Sequence, residues 1–304
     1  MTSLKNKIDF AIVFSVKNAN PNGDPLNGNR PRINYDGMGE VSDVCLKRKI
    51  RNRLMDAGNA IFVQSDDNRA DNYKSLRDRV KGELGDVIKD KEKFSEAACK
   101  KWIDVRAFGQ VFAYKKESGK SKKNKNEGSA ENDQTEESVS IGIRGPVSIH
   151  PAFSVLPIEV SSIQITKSVS GEGDGKKKAS DTMGMKHRVD YGLYVSYGSA
   201  NPQLASKTGF SDEDAKAIKN SLEHLFDNDA SSARPEGSME VIAVIWWQHN
   251  CPTGQYSSAV IHRTLEVAPK VEVPKTAEEY SIKVKKIAEI TPEIYNPNKI
   301  VEKL

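Results

Sequence analysis

Cysteine is scarce in this chain, and long apolar runs are missing. The three cysteines, Cys45, Cys99 and Cys251, are odd in number and scattered. That usage excludes a disulfide framework and fits a reducing cytosol. None stands in a CxxC pair and only Cys251 has a histidine nearby, His249. A zinc site is therefore not expected. No apolar run nears eighteen residues, the length a membrane helix needs, so no membrane partner is expected. The first residues, MTSLKNKIDFAIVF, pass straight into an alternating strand without a cleavage site, and no signal peptide is expected.

Familiar catalytic motifs are missing too. There is no GxSxG elbow, and the five histidines are dispersed without an HExxH. The stretch SGEGDGKKK fails as a phosphate loop. Gly171 and Gly175 enclose three residues rather than four, Lys177 follows Lys176, and no amphipathic helix follows. Gly171, Gly173 and Gly175 alternate, so the dinucleotide fingerprint fails as well.

What is present is a soluble composition, 37% apolar and 29% charged over 304 residues, with a formal net charge of +4. The total is mild, but its distribution is not. Lys47, Arg48, Lys49, Arg51 and Arg53 crowd one segment, and Lys176, Lys177 and Lys178 form a second cluster. Local patches of this kind set partner choice more than the sum does.

Ile8, Phe10, Ile12, Phe14 and Val16 alternate in KIDFAIVFSVK (7–17), which predicts a strand packed on a core. NANPNGDPLNGNRPR (18–32) follows, far longer than a chain reversal needs and rich in turn residues. Ser42 or Asp43 then caps a helix running to about Ala57, stopped by Gly58, with Leu46, Ile50 and Leu54 as its buried stripe. The cations take the rest of its circumference. Residues 60–100 read as irregular helical material, and Trp102, Ile103, Val105 and Phe108 can pack. The stretch 115–138 is lysine-rich, then acidic, without apolar anchors, and predicts a mobile loop. Residues 161–170 and 182–198 alternate around a Gly/Lys tip and predict a long projecting hairpin. SDEDAKAIKNSLEHLF (211–226) carries a capping box and an apolar face of Ile218, Leu222, Leu225 and Phe226. MEVIAVIWWQ (239–248) predicts a strand buried on both faces. This order suits an α+β fold with helices on one face of a sheet, of which a ferredoxin-like, RRM-type core is one example.

Two readings of the chemistry stay open on the residues alone. The basic helix is either a solvated face or, with Arg30 and Arg32 of the long loop, a holder of backbone phosphates. Asn20, Asn22 and Asn27 offer amide donors there, and Gly23 and Gly28 permit close approach. Asp24 is either a turn former or a metal ligand for RNA cleavage, a task that normally takes more than one ligand. Lys186, His187 and Arg188 on the projecting arm make a second contact set beside Met183 and Met185, which serve as core filler or as apolar wedges against bases.

NPNGDP, DVCLKRKIRN, DVRAFG, IRGP, TMGMKHRVDYGLYV and GFSDED, in this order, resemble the backbone subunit of CRISPR surveillance complexes. The likeness is closest to the Cas-seven family of subtype I-C, within the DevR-like group. The resemblance spans essentially the whole chain and is densest at 8–55 and 182–214, while 115–138 has no counterpart in it. It implies one modified RRM core over 1–304, with a helical finger inserted at about 60–140 and a thumb at about 163–192. It also implies copies of the chain stacked along a CRISPR RNA, other complex subunits as partners, and target DNA engaged through guide pairing. Site residues follow from it: Asn20, Asn22 and Arg30; Lys47, Arg48, Lys49 and Arg51; Lys167; and Met183, Met185, Lys186, His187 and Arg188 would line the RNA. Arg106 and Arg144 would join them or brace the fold. No cofactor and no catalytic residue are expected, although backbone subunits of other subtypes cleave RNA through a loop aspartate, which keeps Asp24 as the alternative. A filament protein without RNA is the third reading.

Overall fold

The computed structural model describes residues 2–85, 87, 90–114, 139–166 and 183–303. The charged stretch 115–138, Lys167 and the Gly/Lys tip of the expected hairpin lie outside the described residues. The first strand, β1 (Ile8–Ala19), leads to two short strands, β2 (Gly23–Asp24) and β3 (Arg30–Pro31), then β4 (Met38–Val41) and helix α1 (Asp43–Asp56). Helices α2 (Leu76–Leu84), α3 (Lys91–Lys101) and α4 (Ile103–Phe108) precede β5 (Gly109–Tyr114) and β6 (Val139–Arg144). Next come β7 (Val147–Ile149), β8 (Ala152–Pro157), β9 (Val160–Thr166) and the long β10 (Met183–Ala200). After α5 (Pro202–Thr208) and α6 (Asp212–Glu223) follow β11 (Met239–Gln248), α7 (Ser258–His262), β12 (Leu265–Pro269), β13 (Tyr280–Val284), β14 (Glu293–Tyr295) and β15 (Val301–Lys303).

The main sheet runs β14-β11-β1-β10-β8-β4, with β7 and β9 also paired to β10, and every pairing in it is antiparallel. Helices α1 and α6 cover one face. Leu46, Ile50 and Leu54 of α1 and Ile218 and Leu222 of α6 enter one core with Ile8, Phe10, Ile12, Phe14 and Val16. Phe10 stacks on Trp246 and Phe14 on Tyr194, each at 5.4 Å between ring centres. Gly198 opposite Phe10 makes the first stack possible, since a Cβ there would sit 2.2 Å from the ring.

The structure departs from expectation at β1, which is buried on both faces. Ala11 and Val13 join a second core with Leu193, Ile245, Trp247, Ile261, Tyr280 and Ile282. Helix α7 and the small sheet β12-β13-β15 close that side. Asp9 points there as well, fully buried, with His249 Nε2 2.9 Å from its carboxylate. A third core, built of Phe62, Val80, Phe94, Ala98, Trp102, Val105, Phe112 and Ile141, unites α2, α3, α4, β5 and β6.

The helix caps match the sequence. Ser42 Oγ accepts from Cys45 N at α1, and Gly58 follows at φ +83°. Ser211 and Asp214 form the capping box of α6. The two alternating arms pair as β9 and β10, in the register Met183↔Thr166 through Val189↔Val160.

Candidate nucleic-acid interface

The long loop is a built structure. β2 and β3 pair as a small hairpin, Gly23 with Pro31 and Asp24 with Arg30. Asp24 Oδ1 accepts from Leu26 N at 3.2 Å and lies 3.6 Å from Arg32, so it shapes the turn between them. Asn20 is buried and donates its amide to the Asn29 carbonyl at 2.8 Å, pinning the far side of the loop. Asn22 Oδ1 accepts from both Ser42 N and Ser42 Oγ, at 2.9 and 2.8 Å. The loop is thereby fastened to the first turn of α1, and both asparagines act here through their side-chain bonds to the protein.

The cations of α1 divide by their angle from the apolar stripe. At 100° per residue, Arg48 lies opposite Leu46, whereas Lys49 and Arg53 lie beside it. Arg48 is exposed and has no ion pair among the described residues. Lys47 pairs with Asp43 at 3.0 Å along the helix. Lys49 is only 2% exposed, ion-paired to Asp229, which also takes Arg234 at 3.0 Å. Burial outweighs Asp229 and pulls the Lys49 pKa below the ordinary lysine value. Arg51 Nε donates at 3.0 Å to buried Asp104, which also accepts from Phe62 N and Val63 N, and its guanidinium lies over Phe108. Arg53 pairs with Asp56. The expectation that Lys47, Arg48, Lys49 and Arg51 all line RNA meets a physical limit at Lys49, whose ammonium is buried against Asp229. Arg106 grips Asp214 with two bonds of 2.8 and 2.7 Å and so braces α4 against the start of α6. Arg144 is exposed at the end of β6.

The hairpin meets the loop. Arg30 Nη2 donates to Ser162 Oγ at 2.7 Å, and Ser162 Oγ is 2.8 Å from His187 Nδ1. Cross-strand partners share a face, so Met183, Met185 and His187 stand on one side of the ribbon with Gln164 and Ser162. Lys186 and Arg188 stand on the other side with Ile163 and Ile165. Met183 and Met185 are exposed, at 62% and 55%, so neither fills the core. The methionines and the two cations therefore do not meet on one face, but Arg30 supplies a cation to the methionine side. Ser162 was missed from sequence. Its signal was the alternation of the two arms, which sets it opposite His187 once the hairpin register is known.

No group of three or more His, Cys, Asp or Glu residues suited to a metal ion occurs among the described residues. No described helix is long and apolar enough to cross a membrane.

Known proteins share this chain's pattern. A curated protein of Haloferax volcanii, described as CRISPR-associated protein Cas7, is 29% identical over 222 residues, which cover 72% of this chain and 63% of that one. The match thus spans less than two thirds of that relative's length. Chains from two solved structures also resemble it. One, described as CRISPR RNA-guided surveillance complex, pre-nicking, has a TM-score of 0.45 at 14% identity, covering 79% of this chain and 78% of that one. The other, described as CRISPR RNA-guided surveillance complex, has a TM-score of 0.40 at 17% identity, covering 79% and 68%. The family model for CRISPR-associated protein Cas7 matches residues 6–285, nearly the full chain, and the chain accordingly belongs to the Cas7 family.

Proposed function

We propose that this chain binds single-stranded CRISPR RNA through its backbone and, with copies of itself, forms the spine of a type I-C surveillance complex in the cytoplasm. Guide pairing to target DNA then supplies the sequence specificity, and the protein holds phosphates. The observation that carries this reading is the Arg30–Ser162–His187 link. It joins the turn-rich loop to the hairpin and sets an exposed guanidinium on the same ribbon face as two exposed methionines, a surface with both a phosphate donor and apolar contacts for bases. Arg48, on the outer side of the α1 helix that the loop is fastened to, extends the positive surface.

An RRM-type core is part of the same proposal. It is supported by the order β11-β1-β10-β8, with α1 after β1 and α6 between β10 and β11, both on one face. The separate core around Phe62, Phe94 and Trp102 supports a finger, and the ribbon β9–β10 supports a thumb. The proposal takes the chain to be a binding subunit rather than the cutting one.

The test is the ultraviolet absorbance ratio of protein purified from cells that carry a CRISPR array, before and after nuclease treatment. Bound RNA raises the ratio, and nuclease lowers it and disperses ordered multimers seen by electron microscopy. Purified protein free of nucleic acid that also fails to bind added single-stranded RNA at low salt would overturn the proposal.

A further inference from the structure

We infer that Arg30 and His187 together grip one phosphodiester of a nucleic-acid strand, and that this grip takes up a proton. The inference rests on the RNA reading and deepens it. Its basis is the single hydroxyl that the guanidinium and the imidazole share. Arg30 can only donate, so Ser162 Oγ accepts from it at 2.7 Å. Ser162 Oγ also lies 2.8 Å from His187 Nδ1, a contact that either tautomer of a neutral imidazole satisfies, as acceptor or as donor. The neutral ring carries one N–H in either case, and only the protonated ring carries both.

Protonation makes both ring nitrogens donors, Nδ1 to Ser162 Oγ and Nε2 to a ligand, and Ser162 Oγ then stands between two cations. That arrangement is unfavourable alone and favourable with an anion across both. A phosphodiester is such an anion, and its two free oxygens suit one donor from each side. The charged surroundings leave this pair free to act. From β2 and β3 come Arg30 and Asp24, and Asp24 has Arg32 3.6 Å away. From β9, the facing side chains Ser162, Gln164 and Thr166 do not ionise. On the strand of His187 itself, Lys186 and Arg188 point to the opposite face, with Arg188 3.9 Å from Asp190. Among the described residues, no carboxylate lies within ion-pair distance of Arg30 or His187. Arg30 and Ser162 are exposed and His187 is half-buried, so a ligand can reach all three.

The protonated form holds phosphate better, so bound RNA raises the proton affinity of His187. The gain in binding is present at low pH and lost as pH rises. Binding of a fluorescein-labelled oligouridylate is measured by anisotropy at about pH 6 and about pH 8, on either side of ordinary histidine titration, at fixed ionic strength. Calorimetry in two buffers of different ionisation heat counts the protons. RNA binding is expected to be several-fold tighter at the lower pH. Net proton uptake accompanies it. His187→Gln, checked for an unchanged melting profile, is expected to bind no more tightly at the lower pH than at the higher. Wild-type affinity that is independent of pH, or equal pH dependence in wild type and His187→Gln, overturns this inference and leaves RNA binding standing. Folded protein that binds the oligonucleotide at neither pH overturns the RNA reading, and the inference falls with it.

Discussion

Alanine replacement along α1 separates the cations that brace the fold from the one that faces outward. Lys49→Ala removes an ammonium that is 2% exposed and paired to Asp229, itself nearly buried. Breaking a buried pair costs about 3–5 kcal/mol when the partner is left alone. Asp229 is not left alone, because Arg234 Nε remains 3.0 Å away. The expected loss is therefore near the lower end, about 3 kcal/mol. At about 2 °C per kcal/mol for a chain of this size, the melting temperature falls by about 6 °C. Lys49→Met keeps the buried stem in contact with its neighbours and should recover about 1 kcal/mol of that. Arg48→Ala behaves in the opposite way. It leaves the melting temperature within about 1 °C, as surface changes do. It also weakens RNA binding and lowers the slope of log affinity against log salt by about 0.7, the loss of one phosphate contact to a single strand. Differential scanning fluorimetry and salt-resolved binding on the same preparations give both numbers. Fully folded Lys49→Ala that loses as much RNA affinity as Arg48→Ala would refute the division, and with it the rule that angle from the stripe decides each cation's task.

Two further outcomes follow from the same geometry. Arg106→Ala should destabilise the protein by about 3–5 kcal/mol, because Asp214 loses both bonds of a nearly buried fork. Arg106→Lys should restore only part of this, since an ammonium cannot reproduce the fork; equal melting of Arg106→Ala and wild type would count against a bracing role. RNA incubated with Mg²⁺ or Mn²⁺ should stay intact, because Asp24 Oδ1 is engaged by Leu26 N in the turn. Metal-dependent cleavage that disappears in Asp24→Asn, a substitution that keeps the turn acceptor, would replace the binding reading with an enzyme.

Local pattern made much of this fold legible. The fourfold spacing of Leu46, Ile50 and Leu54 gave α1, and Ser42 and Gly58 gave its ends. Alternation on two arms gave β9 and β10, because a two-residue period needs no knowledge of distant chain. The second buried face of β1 was hidden. Ala11 and Val13 are too small to announce a core, and Asp9 looks like a surface residue until His249, 240 positions on, bonds to it. Long range also hid the partners of the cations. Asp229 is 180 residues from Lys49, Asp104 is 53 from Arg51, and Asp214 is 108 from Arg106. A charge run therefore shows where cations are, and only the fold shows which of them are already neutralised.

Under the proposed function, the same reasoning constrains how a strand of nucleic acid would lie on the hairpin. Alternation sends Met183, Met185 and His187 to one face and Lys186 and Arg188 to the other. One ligand flat against the ribbon cannot engage both sets. The face with Arg30 offers a guanidinium, an imidazole and two exposed thioethers, the mixture that grips phosphates and touches bases at once. The opposite face pairs Lys186 and Arg188 with the exposed aliphatic side chains of Ile163 and Ile165. Branched aliphatics have no π-face to stack on a base, and they match the apolar contacts of a protein surface better than those of a nucleic acid. Under the proposed function, a thin ribbon with one face of each kind would lie between a bound strand and a neighbouring copy of the chain, which the paired register of β9 and β10 permits because it sends the two sets of side chains to opposite sides.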